Sequence, residues 1–206
     1  LRTYLEELTR LDLTPLEAPE PELTYIFKHI ITQEVAYETL LFAQRRQLHR
    51  SVAQWYERRF GAPAADTLTA PLAPYYPLLV YHWHQAGDEN REREYAALAA
   101  KWAAAQFANV EAAGYFTRAL ELTPPGDMAA RYDLLLGREM VNDLLGAREA
   151  QAQDLITLVL LAVAPDVTAD ERVIARKTAR VTLRLANYME VTSDYAATLV
   201  AVHRAI

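Results

Sequence analysis

Leu1, Tyr4, Leu5, Leu8 and Leu11 fall three or four residues apart, with polar and charged residues between them. That period places them on one face of a helix over residues 1–11. Pro15, Pro19 and Pro21 follow among acids; proline lacks the N–H a helix needs, so the chain breaks into an exposed loop. Tyr25-Ile26-Phe27 is a short β-prone triplet, and its expected partner across the loop is Asp12-Leu13-Thr14. Helices are expected over 30–41 and 43–60. The second carries Leu48, Val52, Trp55, Tyr56 and Phe60 on one face.

Between Gly61 and Pro77 lie Pro63, Pro71, Pro74 and Pro77, which places a domain boundary there. Beyond it the pattern is helical, over about 75–86, 90–106, 109–122, 127–145, 148–164, 170–191 and 194–206. Gly87-Asp88, Phe107-Ala-Asn109, Thr123-Pro-Pro-Gly-Asp127, Gly146, Pro165-Asp166 and Ser193-Asp194 separate these segments. Asp127 and Asp170 are placed to cap helix starts. Hairpins beginning near 90, 127 and 170 repeat at about 37 and 43 residues, the range of helical solenoids.

Composition narrows the class. The chain has 206 residues, 52% hydrophobic and 23% charged, which is folded rather than disordered composition. It has no cysteine, which removes disulfide frameworks and cysteine-based metal or redox sites and fits a cytoplasmic setting. The longest apolar run, Leu155 to Ala164, is about half a membrane span, so no membrane association is expected. A net charge of −6 disfavours nucleic acid as a partner. Beginning at Leu1 and running into an apolar-patterned helix at Ile206, the chain reads as an interior piece of a longer protein.

The six glycines make neither a phosphate-binding loop nor a dinucleotide fingerprint, since none precedes a lysine and no two are five apart. Ser51 and Ser193 sit in no strained Gly-x-Ser-x-Gly turn, and no HExxH pair exists. His82-Trp83-His84 is no metal pair, because residues two apart on a helix diverge by roughly 200°. No catalytic site, metal or cofactor is therefore expected in this stretch. Arg45, Arg46, Arg50, Arg58 and Arg59 oppose only Glu57 over 42–60, and Arg46 and Arg50 share a face. Arg45, Arg46 and Arg50 form a candidate basic contact surface, and a solvated face is the plainer reading.

Two stretches carry a family resemblance. Tyr25-Ile-Phe-Lys-His-Ile-Ile-Thr-Gln-Glu-Val-Ala-Tyr-Glu-Thr-Leu-Leu41, running into Arg45-Arg46-Gln-Leu-His-Arg50, resembles the end of the winged-helix module of STAND-class signalling ATPases. It is closest to those in which a class III adenylate or guanylate cyclase, an ATPase core and TPR repeats share one chain. Ile26-Phe-Lys-His29-Ile-Ile-Thr-Gln-Glu34 is similar to the nucleotide-switch signature that includes the Met-His-Asp motif of plant disease-resistance proteins. The resemblance implies that His29 faces the β-phosphate of bound ADP and holds an inactive form closed. Ile30 stands where that motif has aspartate, so only the histidine's role carries over. The alternative for His29 is a buried histidine capping a helix end.

Glu-Ala-Ala-Gly-Tyr-Phe-Thr-Arg-Ala-Leu-Glu-Leu-Thr-Pro resembles the second helix of a TPR repeat, through Ala112, Phe116, Ala119, Leu120 and Pro124. In such a repeat the alanines let helices approach, the phenylalanine fills the gap between hairpins and the proline ends the helix. Leu183 to Ile206 matches more loosely, with Thr198 in place of alanine, and the hairpin around Gly146 matches only in pattern.

The expected architecture is all-α: the end of a winged helix with a short β-hairpin over 1–60, a linker over 61–77, and TPR-like hairpins over 78–206 forming an α-α superhelix. The expected function is non-catalytic. This would be the regulatory, protein-interaction region of a signalling ATPase, with a protein or peptide on the concave face of the repeats. An ATPase domain elsewhere in the same chain would be its intramolecular partner, with ATP and ADP the parent's nucleotides. The alternative is the sensor region of an ATP-dependent transcriptional regulator whose DNA-binding domain lies elsewhere. The winged-helix wording disfavours a stand-alone TPR adaptor.

Overall fold

Helices dominate residues 2–18, 24–61, 68–163 and 171–192, which the computed structural model describes. The chain divides into two compact units, Leu1–His49 and Arg50–Ile206.

The first unit opens with helix α1 (Arg2–Arg10) and a two-stranded antiparallel hairpin, β1 (Leu16–Ala18) with β2 (Thr24–Tyr25), in which Leu16 faces Tyr25. The regular strand thus lies C-terminal to the expected Asp12-Leu13-Thr14. Asp12 adopts a left-handed conformation (φ 57°), and the Thr9 hydroxyl donates to the Thr14 carbonyl at 2.8 Å, which ties residues 12–14 back to α1. Pairing still reaches that segment, since Lys28 N–H donates to the Leu13 carbonyl at 3.0 Å. Pro19 and Pro21 of the expected wing lie outside the described residues.

Helix α2 (Ile30–Glu38) stops three residues earlier than its pattern predicts, and α3 (Phe42–Phe60) follows. The reason is a local exchange of hydrogen bonds. The Arg45 guanidinium donates to the carbonyls of Glu38 and Leu40, and the Leu41 N–H donates to Gln44 Oε1 at 2.9 Å. Those bonds satisfy one helix's orphan carbonyls and the next helix's orphan amide, which makes a stop more favourable than another turn. Along α3 the inward face also differs from expectation. Leu48 and Trp55 are exposed, whereas His49 and Ala53 are buried and Glu57 is half-buried. The polar residues are tolerated because each finds partners, described below.

The second unit continues from α3 through a 3₁₀ turn (Ala73–Tyr75) into α4 (Tyr76–Ala86), α5 (Glu89–Ala105), α6 (Asn109–Leu122), α7 (Met128–Leu145), α8 (Arg148–Val163) and α9 (Glu171–Thr192). Each of α4 to α9 packs on its neighbour in sequence. Asp88 and Asp127 cap α5 and α7, accepting from Arg91 N–H and Ala130 N–H at 3.1 Å. Of the expected 61–77 linker, residues 62–67 lie outside the described residues, and Leu72, Ala73 and Tyr76 are buried. The proposed cap Asp170 and the final segment 194–206 also lie outside them.

The core is made where small residues let helices close up. Ala96, Ala99, Ala100 and Ala103 of α5 and Ala112 and Ala119 of α6 are almost inaccessible, and Tyr76, Tyr95, Phe116 and Leu134 to Leu136 fill the space around them. Alanine loses no side-chain entropy on burial, so this core combines high helix propensity with close packing.

Candidate functional site

Four carboxylates sit where the helices are otherwise apolar. Glu92 falls one turn before Tyr95 and Ala96 on the buried face of α5; Glu139 shares α7 with Leu135 and Leu136; Asp154 adjoins Leu155 and Leu158 on α8. All three are at least 97% buried, and Glu57 on α3 is half-buried. A buried carboxylate is costly unless donors surround it, and each has them.

Glu57 accepts from Trp83 Nε1 at 3.2 Å, Tyr95 Oη at 2.8 Å and Arg91 Nη2 at 3.2 Å, joining α3, α4 and α5. Glu92 Oε1 accepts from Arg118 Nε at 2.6 Å and lies 3.1 Å from His84 Nδ1, joining α5, α6 and α4. Asp154 takes both Nε and Nη2 of Arg138, at 3.1 and 2.6 Å, and Asn142 Nδ2 at 3.0 Å. Arg138 Nη1 reaches on to Thr117 Oγ1 at 3.0 Å, so this node joins α6, α7 and α8. Glu139 accepts from Gln151 Nε2 and from Arg184 on α9 through two bonds of 2.7 and 3.0 Å. Fixed polar nodes thus join α3–α4–α5, α4–α5–α6, α6–α7–α8 and α7–α8–α9.

A concavity lies over two of these nodes. Ala113, Gly114, Thr117, Arg118 and Glu121 of α6, Arg138 and Asn142 of α7, and Ala150, Gln153 and Asp154 of α8 line a groove of about 620 Å³. Ala113, Gly114 and Ala150 make the room, and the arginines furnish polar walls. Hydrogen bonding to Glu92 and then to Glu121 holds the Arg118 guanidinium above its already high ordinary pKa, so it is permanently cationic. Glu121 and Asp154 balance the two arginines in charge. The Thr117 hydroxyl accepts from Arg138 and donates to the Ala113 carbonyl, which leaves it no proton to give. Gln153 is exposed at the rim.

His29 precedes α2 in an extended conformation (φ −126°, ψ 131°), exposed and with no hydrogen bond from its ring to the helix start. Its carbonyl accepts from Thr32 N–H and Gln33 N–H at 3.0 and 3.3 Å. The side chain is thus neither buried nor a cap. Ile30, Ile31 and Val35 beside it are exposed, as are Leu41 and Phe42. Ala112, Phe116, Ala119 and Leu120 are buried on α6, and Pro124 is exposed beyond its end.

Of the basic surface, Arg45 is turned onto the end of α2 with its guanidinium 4.7 Å from the Tyr37 ring centroid. Arg46 lies over Phe42, and Arg50 is half-buried. Arg45 therefore serves α2 directly. Among the described residues, no three His, Asp or Glu side chains come together as a metal site. None of the described helices is long and apolar enough to cross a membrane.

The groove escaped a reading based on motifs, although one signal was present: acids on an apolar stripe at 92, 139 and 154 predict buried partners. No family model, curated protein or solved structure matches the chain.

Proposed function

We propose that this chain is the non-catalytic regulatory and protein-interaction region of a signalling ATPase, coupling occupancy of its helical repeats to the nucleotide state of an ATPase domain elsewhere in the protein. The observation that carries the reading is the groove over α6, α7 and α8. Its walls are held by buried carboxylates before any ligand arrives, and pre-fixed side chains lower the entropy lost on binding. Guanidinium and carboxamide groups of this kind suit the amides and polar side chains of an extended protein segment. The helices α4 to α9 read as TPR-like hairpins in a superhelix, and α1 with the β1–β2 hairpin and α2 as the end of a winged helix.

His29 supports the coupling half of the proposal. An exposed imidazole at the start of a helix, beside first-turn amides that favour anions, suits contact with a phosphate supplied by another domain. Exposed Ile30, Ile31 and Val35 would flank that contact. In the full-length protein, His29→Ala is expected to reduce the ADP that survives purification and to raise basal output. The chain's own melting temperature should not change, because the ring is exposed and makes no capping hydrogen bond to the helix. Unchanged ADP retention would remove His29 from the mechanism.

A further inference from the structure

Three helix ends in the second unit close in the same way. Helices α4, α5 and α7 each end with one residue in the left-handed region, followed by a residue whose N–H bonds back five positions: Asp88 to Trp83, Ala108 to Ala103 and Ala147 to Asn142. That geometry strongly favours glycine at the left-handed position. Two ends obey, with Gly87 and Gly146 both at φ 67°. The third places Phe107 there at φ 60°, with the side chain 84% exposed. A bulky residue forced into this conformation, with no packing to offset the strain, is an outlier that folding does not explain.

Phe107 is not isolated. The three- and five-residue turns after α5 and α6 each reverse the chain between packed neighbours, so α5 and α7 run in the same sense, and they pack directly. Their C-terminal turns therefore lie on one edge of the unit. Phe107 and Val110 are exposed at the first turn, Leu144 and Leu145 at the second. Glu111 and Glu149, both exposed, follow these two turns. Arg148 is bound to Asp143 and Gln151, and Lys101 lies more than a turn back along α5.

We propose that this edge docks an amphipathic helix of a partner protein, with Phe107 as the principal anchor and basic residues flanking the partner's apolar stripe. Spacing and charge both point to that occupant. Packed helices lie about 8–10 Å apart, so direct α5–α7 packing brings the two turns within reach of one partner helix. Side chains seven apart on a helix are separated by about 10 Å, so one stripe spans both pairs. The acidic flank then selects cationic neighbours. This surface goes beyond the regulatory reading and stands whether or not an ATPase domain accompanies it.

The test uses a fluorescent helix-forming peptide with leucine at i, i+3, i+4 and i+7 and lysine elsewhere, followed by anisotropy on the intact chain. Phe107→Asn is the informative variant, because asparagine tolerates the left-handed conformation while removing the anchor. It should weaken peptide binding at least about tenfold and leave the melting temperature unchanged or raised. Phe42→Ser, which removes another strongly exposed aromatic, should bind as the parent does, and a leucine–glutamate peptide should bind more weakly. Absence of peptide binding, equal loss in Phe42→Ser, equal affinity for the acidic peptide, or a lowered melting temperature in Phe107→Asn would each overturn the proposal. So would a dimer in sedimentation that Phe107→Asn abolishes, since the occupant would then be a second copy.

Discussion

The ring of Phe116 on α6 occupies the space in which a β-carbon on Gly137 of α7 would stand. A methyl group at Gly137 would come within 2.6 Å of Phe116 Cε1, closer than any real carbon contact. Phe116 is itself buried, so the ring cannot swing away cheaply. Glycine inside a helix usually weakens it, and here it admits the aromatic side chain of the neighbouring helix.

Gly137→Ala should therefore destabilise the second unit by about 1–3 kcal/mol, although alanine is the better helix former by about 1 kcal/mol. Urea unfolding of Gly137→Ala, Phe116→Leu and the double variant checks this. The double variant should be more stable than the sum of the single effects predicts, because the smaller side chain vacates the clash. Gly137→Ala at or above parental stability would show that the ring has room.

Arg184 tests the polar nodes. Glu139 is fully buried on α7, and Arg184 supplies two of its hydrogen bonds across to α9. Removing the arginine leaves a carboxylate without its cation, at about 3–5 kcal/mol, far more than an exposed pair would give. Arg184→Ala should lose amide protection first in α9. Arg184→Ala combined with Glu139→Gln should recover part of the loss, since the buried charge is then gone.

Most helix boundaries of the second unit were legible because their signals are local: Asp127 caps, Gly87-Asp88 and Gly146 mark ends, and Thr123 to Gly126 breaks. The polar nodes were not, because their partners are remote. Arg118 is 26 residues from Glu92 and Arg184 is 45 from Glu139, so no window along the chain shows why those acids can be buried. Leu48 and Trp55 misled for a related reason. Their helical spacing marks an apolar face, but three donors to Glu57 and the Tyr37 hydroxyl near His49 make the polar face the one that turns inward.

Tyr95 carries a pH signature. Burial, then its hydrogen bond to Glu57, pushes the phenol well above its ordinary pKa. A phenol raised in the folded state contributes stability that is present below its unfolded value, near about pH 10, and is lost as pH rises beyond it. Tyr95→Phe should cost about 1.5–3 kcal/mol at pH 8, the usual worth of a hydrogen bond to a charged group. The gap between parent and variant melting temperatures should narrow from pH 8 to pH 11. A gap that stays constant would mean that the phenol titrates normally.

His49 works in the opposite direction. It is buried at the end of the first unit, with Nε2 3.0 Å from the Tyr37 hydroxyl and the two rings edge-to-face. Desolvation lowers its pKa below the ordinary histidine value. A base whose folded pKa is depressed contributes stability above its unfolded value, about 6.5, and loses it as pH falls through the folded pKa. The imidazole must gain a proton in a place that disfavours charge, with the Arg45 guanidinium already over the Tyr37 ring. The link between α2 and α3 should therefore loosen as pH drops from about 7 to about 5. Amide exchange across residues 30–49 should accelerate over that range in the parent protein and much less in His49→Gln, which keeps a hydrogen-bonding side chain but does not titrate. Equal acceleration in both would place the acid sensitivity elsewhere.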